Sequence, residues 1–178
     1  MEKKGSLFIG SFLVLLGVLS LAGNLLFSLG RSLPASIFQM WPVIVIGVGL
    51  LFVMPPFFFP RTRGLAGLFI PGMPILVTGV ILFAASILNN WSIWATAWPL
   101  EVLAVAVGFV LAAIFMRVIW LIIPAFIIGF TGLVLQFCAL TGLWGSWAAL
   151  WTVEPLALGL AFIIIGLKEG HRALALVG

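Results

Sequence analysis

Long apolar runs, not strict alternation, set the pattern of this chain. A helix crosses a hydrocarbon layer of about 30 Å with roughly 17–25 predominantly apolar residues, and runs of that length follow one another here with only short polar breaks. Six spanning helices are predicted, over residues 5–27, 42–59, 65–88, 99–116, 118–140 and 152–167. Helix-starting and helix-stopping residues punctuate them. Pro42 and Pro99 stand at the first helical position, where the missing N–H has no intrahelical partner to lose. Pro55-Pro56 must end or kink the second run, and Asn89-Asn90 opens a loop. The fold class read from this pattern is all-α integral membrane, with short outer helices or turns in the tryptophan-rich loops.

The pattern also repeats. Pro71 and Pro124, Gly79 and Gly132, Trp91 and Trp144, Trp94 and Trp147, Trp98 and Trp151, and Glu101 and Glu154 are all separated by 53 residues. So many scarce residue types in one ungapped register indicate one helical hairpin written more than once. Trp41-Pro42 precedes Trp98-Pro99 by 57 residues, which extends the pattern to a first copy whose loop is longer and in which Ile44 replaces the glutamate. The chain is therefore expected to be a single membrane domain over residues 1–178, made of three αα-hairpins at about 5–60, 64–117 and 118–170. Hairpins in the same orientation are parallel repeats, unlike the inverted repeats of one common transporter design.

Composition sharpens the class. Hydrophobic residues make up 65% of the chain and charged residues 7%, against about a quarter charged in soluble domains. Six spans use nearly all 178 residues. Met1-Glu2-Lys3-Lys4 followed by an apolar run imitates a secretory signal peptide, but its counterparts later in the chain favour a first spanning helix. Lys3, Lys4, Arg61, Arg63, Arg117, Lys168 and Arg172 fall on one side of a six-span arrangement and only Arg31 on the other. Basic residues near span ends mark the cytoplasmic side, so both termini are expected there, in a bacterial plasma membrane. The net charge of +4 is scattered beside apolar segments and forms no nucleic-acid patch. Cys138 is the sole cysteine, which excludes an intrachain disulfide and points to a core thiol.

Candidate chemistry is sparse. Trp41, Trp91, Trp94, Trp98, Trp144, Trp147 and Trp151 gather at the expected outer boundary, where an indole buries its ring and keeps its N–H wet. An interfacial belt explains them without a ligand, although such triplets are also the material of a cage for a cationic head group or a sugar. Glu101 and Glu154 are the carboxylates away from the termini. Acidic groups in spans are functional candidates by default. Each, however, follows a tryptophan by three residues, which places its carboxylate where it can cap orphan N–H groups and meet the positive end of the helix dipole. Capping is the expected role, with proton, cation or partner contact the alternative. Ala104, Gly108 and Ala112, their counterparts Ala157, Ala161 and Ile165, and Gly47 in the first hairpin stack at a spacing of four on helix faces, which suits close helix packing. Thr78, Thr131, Gln136, Ser86 and Asn24 are expected to bond between helices or to backbone, and His171 to sit in a charged tail.

No nucleophile–base pair, metal-spaced cluster, phosphate loop or buried lysine is visible. A non-enzymatic protein without cofactor or metal is expected, in contact with membrane lipids and other membrane proteins and not with nucleic acid. The pattern Gly10, Gly17-Val18-Leu19 and Asn24, then Trp41-Pro42-Val43-Ile44-Val45-Ile46-Gly47, resembles the LiaF-like transmembrane hairpin of bacterial envelope-stress proteins. That resemblance implies a plasma-membrane protein whose hairpins sense or modulate partners, often a signalling kinase, and no catalytic residues. In length and hairpin construction the chain also resembles the HdeD-like six-span family more loosely. The leading expectation is a structural, accessory or regulatory subunit; the alternative is a small transporter or channel using Glu101 and Glu154 as cation or proton sites. A substrate-binding subunit of a vitamin importer matches the span number and length, without a visible cluster of polar ligand contacts.

Overall fold

The computed structural model describes residues 39–59 and 61–170, together with Val14, Gly17 and Leu21, which are helical. The rest of the predicted first span, with Asn24, lies outside the described residues, as do Lys3, Lys4, Arg31, His171 and Arg172.

The described residues form helices and turns without a strand. In chain order they are α1 (Pro42–Val53), α2 (Pro55–Phe58), a 3-10 segment Arg63–Leu68 running into α3 (Phe69–Ile87), α4 (Ile93–Ala97), α5 (Pro99–Met116), a 3-10 turn Ile119–Leu121 leading into α6 (Ile122–Thr141), a 3-10 turn Trp144–Ser146, α7 (Trp147–Leu150) and α8 (Val153–Glu169). The short outer helices expected in the tryptophan loops are α4 and α7. Pro42 and Pro99 occupy the first turns of α1 and α5, as their missing N–H allows.

Three helical stretches are long and apolar enough to cross a membrane: Arg63–Ile87, Pro99–Met116 and Ile119–Thr141. A fourth is counted if Trp144–Leu150 and Val153–Glu169, bent by 47° at their junction, are one broken span. The described residues thus form an apolar helical structure with three to four helices long and apolar enough to cross a membrane. In the predicted second span the helix breaks at Met54, before Pro55-Pro56, as that proline pair requires, and the apolar segment Pro42–Phe58 is shorter than the three spanning stretches. A proline lacks the N–H needed to continue a helix and its ring crowds the preceding turn.

Helices pack on their neighbours in sequence: α1 on α3, α3 on α5, α5 on α6, and α6 on α8. Small residues set how closely they approach. A Cβ added at Gly79 would lie 2.7 Å from the Ile46 backbone nitrogen, and one at Gly49 2.7 Å from the Leu76 Cα, so α1 and α3 touch nearly backbone to backbone, antiparallel. Between α5 and α6, Gly132 fits against the Leu103 side chain, with the Leu103 backbone nitrogen next at 3.2 Å, and Gly129 faces Ala106. Between α3 and α5, a Cβ on Gly108 would meet the Phe69 carbonyl oxygen at 2.5 Å. The core is correspondingly built of small side chains, with Ala85, Ala104, Ala112, Ala157 and Ala161 buried. Close approach of this kind favours dispersion contacts between helices where no hydrophobic driving force acts between them.

At one end of α5 the rings of Phe57, Phe69 and Phe115 meet edge to face or tilted, with centroids 5.2–5.4 Å apart. Phe69 is fully buried there and ties α2, α3 and α5 together. Helix ends close with left-handed residues, the usual device for satisfying the last carbonyls. Among the described residues these are Asn89, Arg117, Gly142 and Gly170, with φ of 47°, 59°, 74° and 71°. They fall into two pairs, Asn89 with Gly142 and Arg117 with Gly170, each separated by the same 53 residues as the sequence matches.

Candidate functional site

The two glutamates begin the long helices α5 and α8 and sit in the first turn of each. That is the first-turn position expected from sequence, where a carboxylate meets the positive end of the helix dipole, but a capping hydrogen bond does not accompany it. Neither helix start carries a side-chain capping hydrogen bond. Each glutamate N–H instead bonds back to the tryptophan carbonyl three residues earlier, Glu101 to Trp98 and Glu154 to Trp151, both at 3.0 Å. The carboxylates reach sideways. Thr78 on α3 donates its hydroxyl to Glu101 Oε1 at 2.7 Å, and Thr131 on α6 donates to Glu154 Oε1. A carboxylate in an apolar bundle finds few donors, so a hydroxyl on the adjacent helix outcompetes solvated backbone N–H groups at the loop.

Both bonds join partners 23 residues apart in sequence. Thr78 and Thr131 are themselves separated by the repeat register of 53. That coincidence was the available signal that each threonine belongs to a glutamate.

The two sites differ in their remaining valences. Thr131 also lies 2.7 Å from the Ile127 carbonyl oxygen, so a single hydroxyl proton has two acceptors within reach. Glu154 Oε2 is buried without a hydrogen-bond partner. Glu101 has no such orphaned oxygen. The two carboxylates are not brought together into one site: each is held by its own threonine, and among the described residues no group of three His, Cys, Asp or Glu side chains is placed to hold a metal.

Other polar side chains of the apolar segments bond to backbone carbonyls. Ser86 donates to the Gln39 carbonyl at 2.9 Å, tying the end of α3 to the chain entering α1. Gln136 on α6 donates through Nε2 to the Thr96 carbonyl of α4 at 2.9 Å, and its Oε1 is buried without a partner. Cys138 is fully buried, with Sγ 3.7 Å from the Leu143 carbonyl oxygen.

Trp41, Trp91, Trp144, Trp147 and Trp151 are exposed, while Trp94 and Trp98 are half-buried. Trp98 and Trp144 stack in parallel with centroids 6.4 Å apart, joining the loop before α5 to the loop after α6. Two of the candidate cage rings are therefore occupied with each other. A double-mutant cycle of Trp98→Ala and Trp144→Ala is expected to show a coupling of about 0.5–1.5 kcal/mol in detergent unfolding, and additive single effects would mean that the stack contributes nothing.

Ala104, Gly108, Ala112, Ala157, Ala161 and Ile165 are buried within the bundle. Gly47 is different: a Cβ there meets nothing within 4 Å among the described residues, and the close approach on α1 falls at Gly49 instead. Comparisons with protein-family models, with curated proteins and with solved structures find no significant match to this chain.

Proposed function

We propose that this chain is a non-enzymatic, multi-pass subunit of a bacterial inner membrane, built from three parallel αα-hairpins with both termini cytoplasmic, that works by packing against other membrane proteins. The LiaF-like resemblance supports a regulatory or accessory role in that setting. The observation that carries the reading is the closure of the polar groups. Thr78, Glu101, Thr131 and Ser86 find partners within the described helices and their loops, and Gln136 does so through Nε2, leaving Gln136 Oε1 and Glu154 Oε2 as the buried oxygens without one; the exposed residues of the long helices include the large apolar Leu51, Val80, Ile114, Leu133, Leu140 and Leu167. A transport path needs polar groups that face it and are free to bind in passing. Here they face one another.

Equivalent construction supports the hairpin repeat. The Thr–Glu bonds, the glycine contacts at Gly79 and Gly132, and the left-handed helix ends all recur at one spacing. The small residues on α5 and α8 are taken up by internal packing, so partner contact passes to the exposed aliphatic and aromatic faces. Gentle extraction from the native membrane is expected to retain a stoichiometric membrane-protein partner. Recovery of the chain alone, monodisperse under several mild detergents, would argue against an accessory role.

A second reading, a cation or proton site, is favoured by one feature: the buried, unpartnered Oε2 of Glu154. It predicts that Glu154→Gln alters proton or cation movement and that Glu101→Gln, whose carboxylate lacks such an orphan, does not. Equal silence of the two variants removes that reading.

A further inference from the structure

Away from the tryptophan loops, the opposite end of α5 carries a groove that the sequence patterns did not single out. Its lining is Arg61, Arg63, Ile114, Phe115 and Arg117, around a cavity of about 510 Å³. This lies in the range of small-molecule sites, about 300–1,000 Å³. Three arginines from two segments line it, and no carboxylate shares the lining. The other two members are apolar: Ile114 is 62% exposed on the outer face of α5, and Phe115 belongs to the ring cluster with Phe57 and Phe69.

Arg117 is held there at some expense. It closes α5 in the left-handed region, at φ 59°, where an L-residue with a side chain is disfavoured by roughly 1–2 kcal/mol and glycine is not. At the corresponding end of α8, 53 residues on, the left-handed position is filled by Gly170. The helix end therefore needs no arginine for its own geometry, and the side chain present is a strong bidentate donor to phosphate.

We infer that this groove binds the phosphodiester head group of an anionic phospholipid, with the phosphate among Arg61, Arg63 and Arg117 and the acyl chain along Ile114 and Phe115. Phosphate chemistry alone is also offered by free inorganic phosphate. The exposed Ile114 beside the arginines favours the lipid, because a free anion has nothing to place on it. Basic pockets between transmembrane helices on the cytoplasmic side are suited to such head groups. The inference rests on the proposed orientation only for the leaflet that supplies the lipid, and binding in detergent is independent of it.

Native mass spectrometry of the purified full chain in neutral detergent, titrated with phosphatidylglycerol or with phosphatidylcholine of the same acyl chains, tests this directly. Phosphatidylglycerol is expected to bind preferentially. Arg61→Gln with Arg63→Gln should weaken it by roughly 25-fold, at about fivefold per arginine. Arg117→Gly is the decisive variant, since it relieves the backbone while removing the charge: its thermal midpoint should be no lower than that of the parent chain, yet phosphatidylglycerol binding should fall about fivefold. Lys168→Gln, which removes a basic residue outside the groove, should leave binding unchanged. Equal binding of the two lipids, undiminished binding by Arg117→Gly, or the same loss with Lys168→Gln overturns the site. Displacement of phosphatidylglycerol by millimolar inorganic phosphate overturns the lipid assignment in favour of the free anion.

Discussion

Gly108→Ala is expected to destabilise the bundle by about 1–3 kcal/mol, measured by SDS titration or thermal unfolding in detergent. The added methyl would sit 2.5 Å from the Phe69 carbonyl oxygen and 2.9 Å from the Ile70 Cα. Both neighbours are backbone, so neither can rotate away and α3 must move as a body against α5. Gly79→Ala belongs in the same class, because it meets the Ile46 backbone nitrogen at 2.7 Å. Gly132→Ala should be milder. Its nearest neighbours are the Leu103 Cδ2 and Cγ at 2.8 and 2.9 Å, the outer atoms of a side chain that can change rotamer. Gly47→Ala has open space and the helix preference of alanine in its favour, and should be neutral or stabilising by up to about 1 kcal/mol. A flat series, with all four variants alike, would show that helix approach is not set by these contacts.

Thr131→Val should cost more than Thr78→Val, although both remove a hydroxyl of nearly the same shape. Taking the donor from a buried acceptor leaves that acceptor's desolvation uncompensated, at about 1–3 kcal/mol. Thr78→Val strands only Glu101 Oε1. Thr131→Val leaves Glu154 with both oxygens unpartnered, since Oε2 has no partner to begin with. The pairwise term itself is smaller. Double-mutant cycles of Thr78→Val with Glu101→Leu, and of Thr131→Val with Glu154→Leu, should give interaction energies of about 0.6 kcal/mol and no more than about 1.7, the average and the maximum for hydrogen bonds between membrane helices. Coupling near zero in both cycles would leave the glutamates as ordinary surface groups at helix starts.

The parts of this structure that were legible in the sequence are those decided locally. Pro99 and the apolar run after it define α5, found at Pro99–Met116, and the spacing of tryptophans and polar residues marks loops that hold α4 and α7. Lateral relations were harder to read. Glu101 has a backbone close by in sequence that it can cap, and a pattern along one helix does not reveal that a threonine on an antiparallel neighbour stands closer to its carboxylate. The same limit explains Gly47 and Gly49: both are small, and only the crossing with Leu76 shows which one is needed. The helix ends were concealed for another reason. Asn89 and Gly142, or Arg117 and Gly170, share a backbone conformation without sharing a residue type, so a register built on identical residues passes over them. Pro55-Pro56 marked the break after Met54, whereas apolar length alone does not show the 47° bend before Val153.

These features give one account, in which polar groups hold neighbouring helices together and the outer surface is left for lipid and partner helices. Flux through the purified full chain, reconstituted into liposomes and followed with proton- and cation-sensitive dyes, tests it most directly. No movement above protein-free liposomes is expected for the parent chain or for the Glu101→Gln and Glu154→Gln variants. Solute movement by the chain alone, abolished by Glu154→Gln, would contradict it and make that carboxylate part of a transport path.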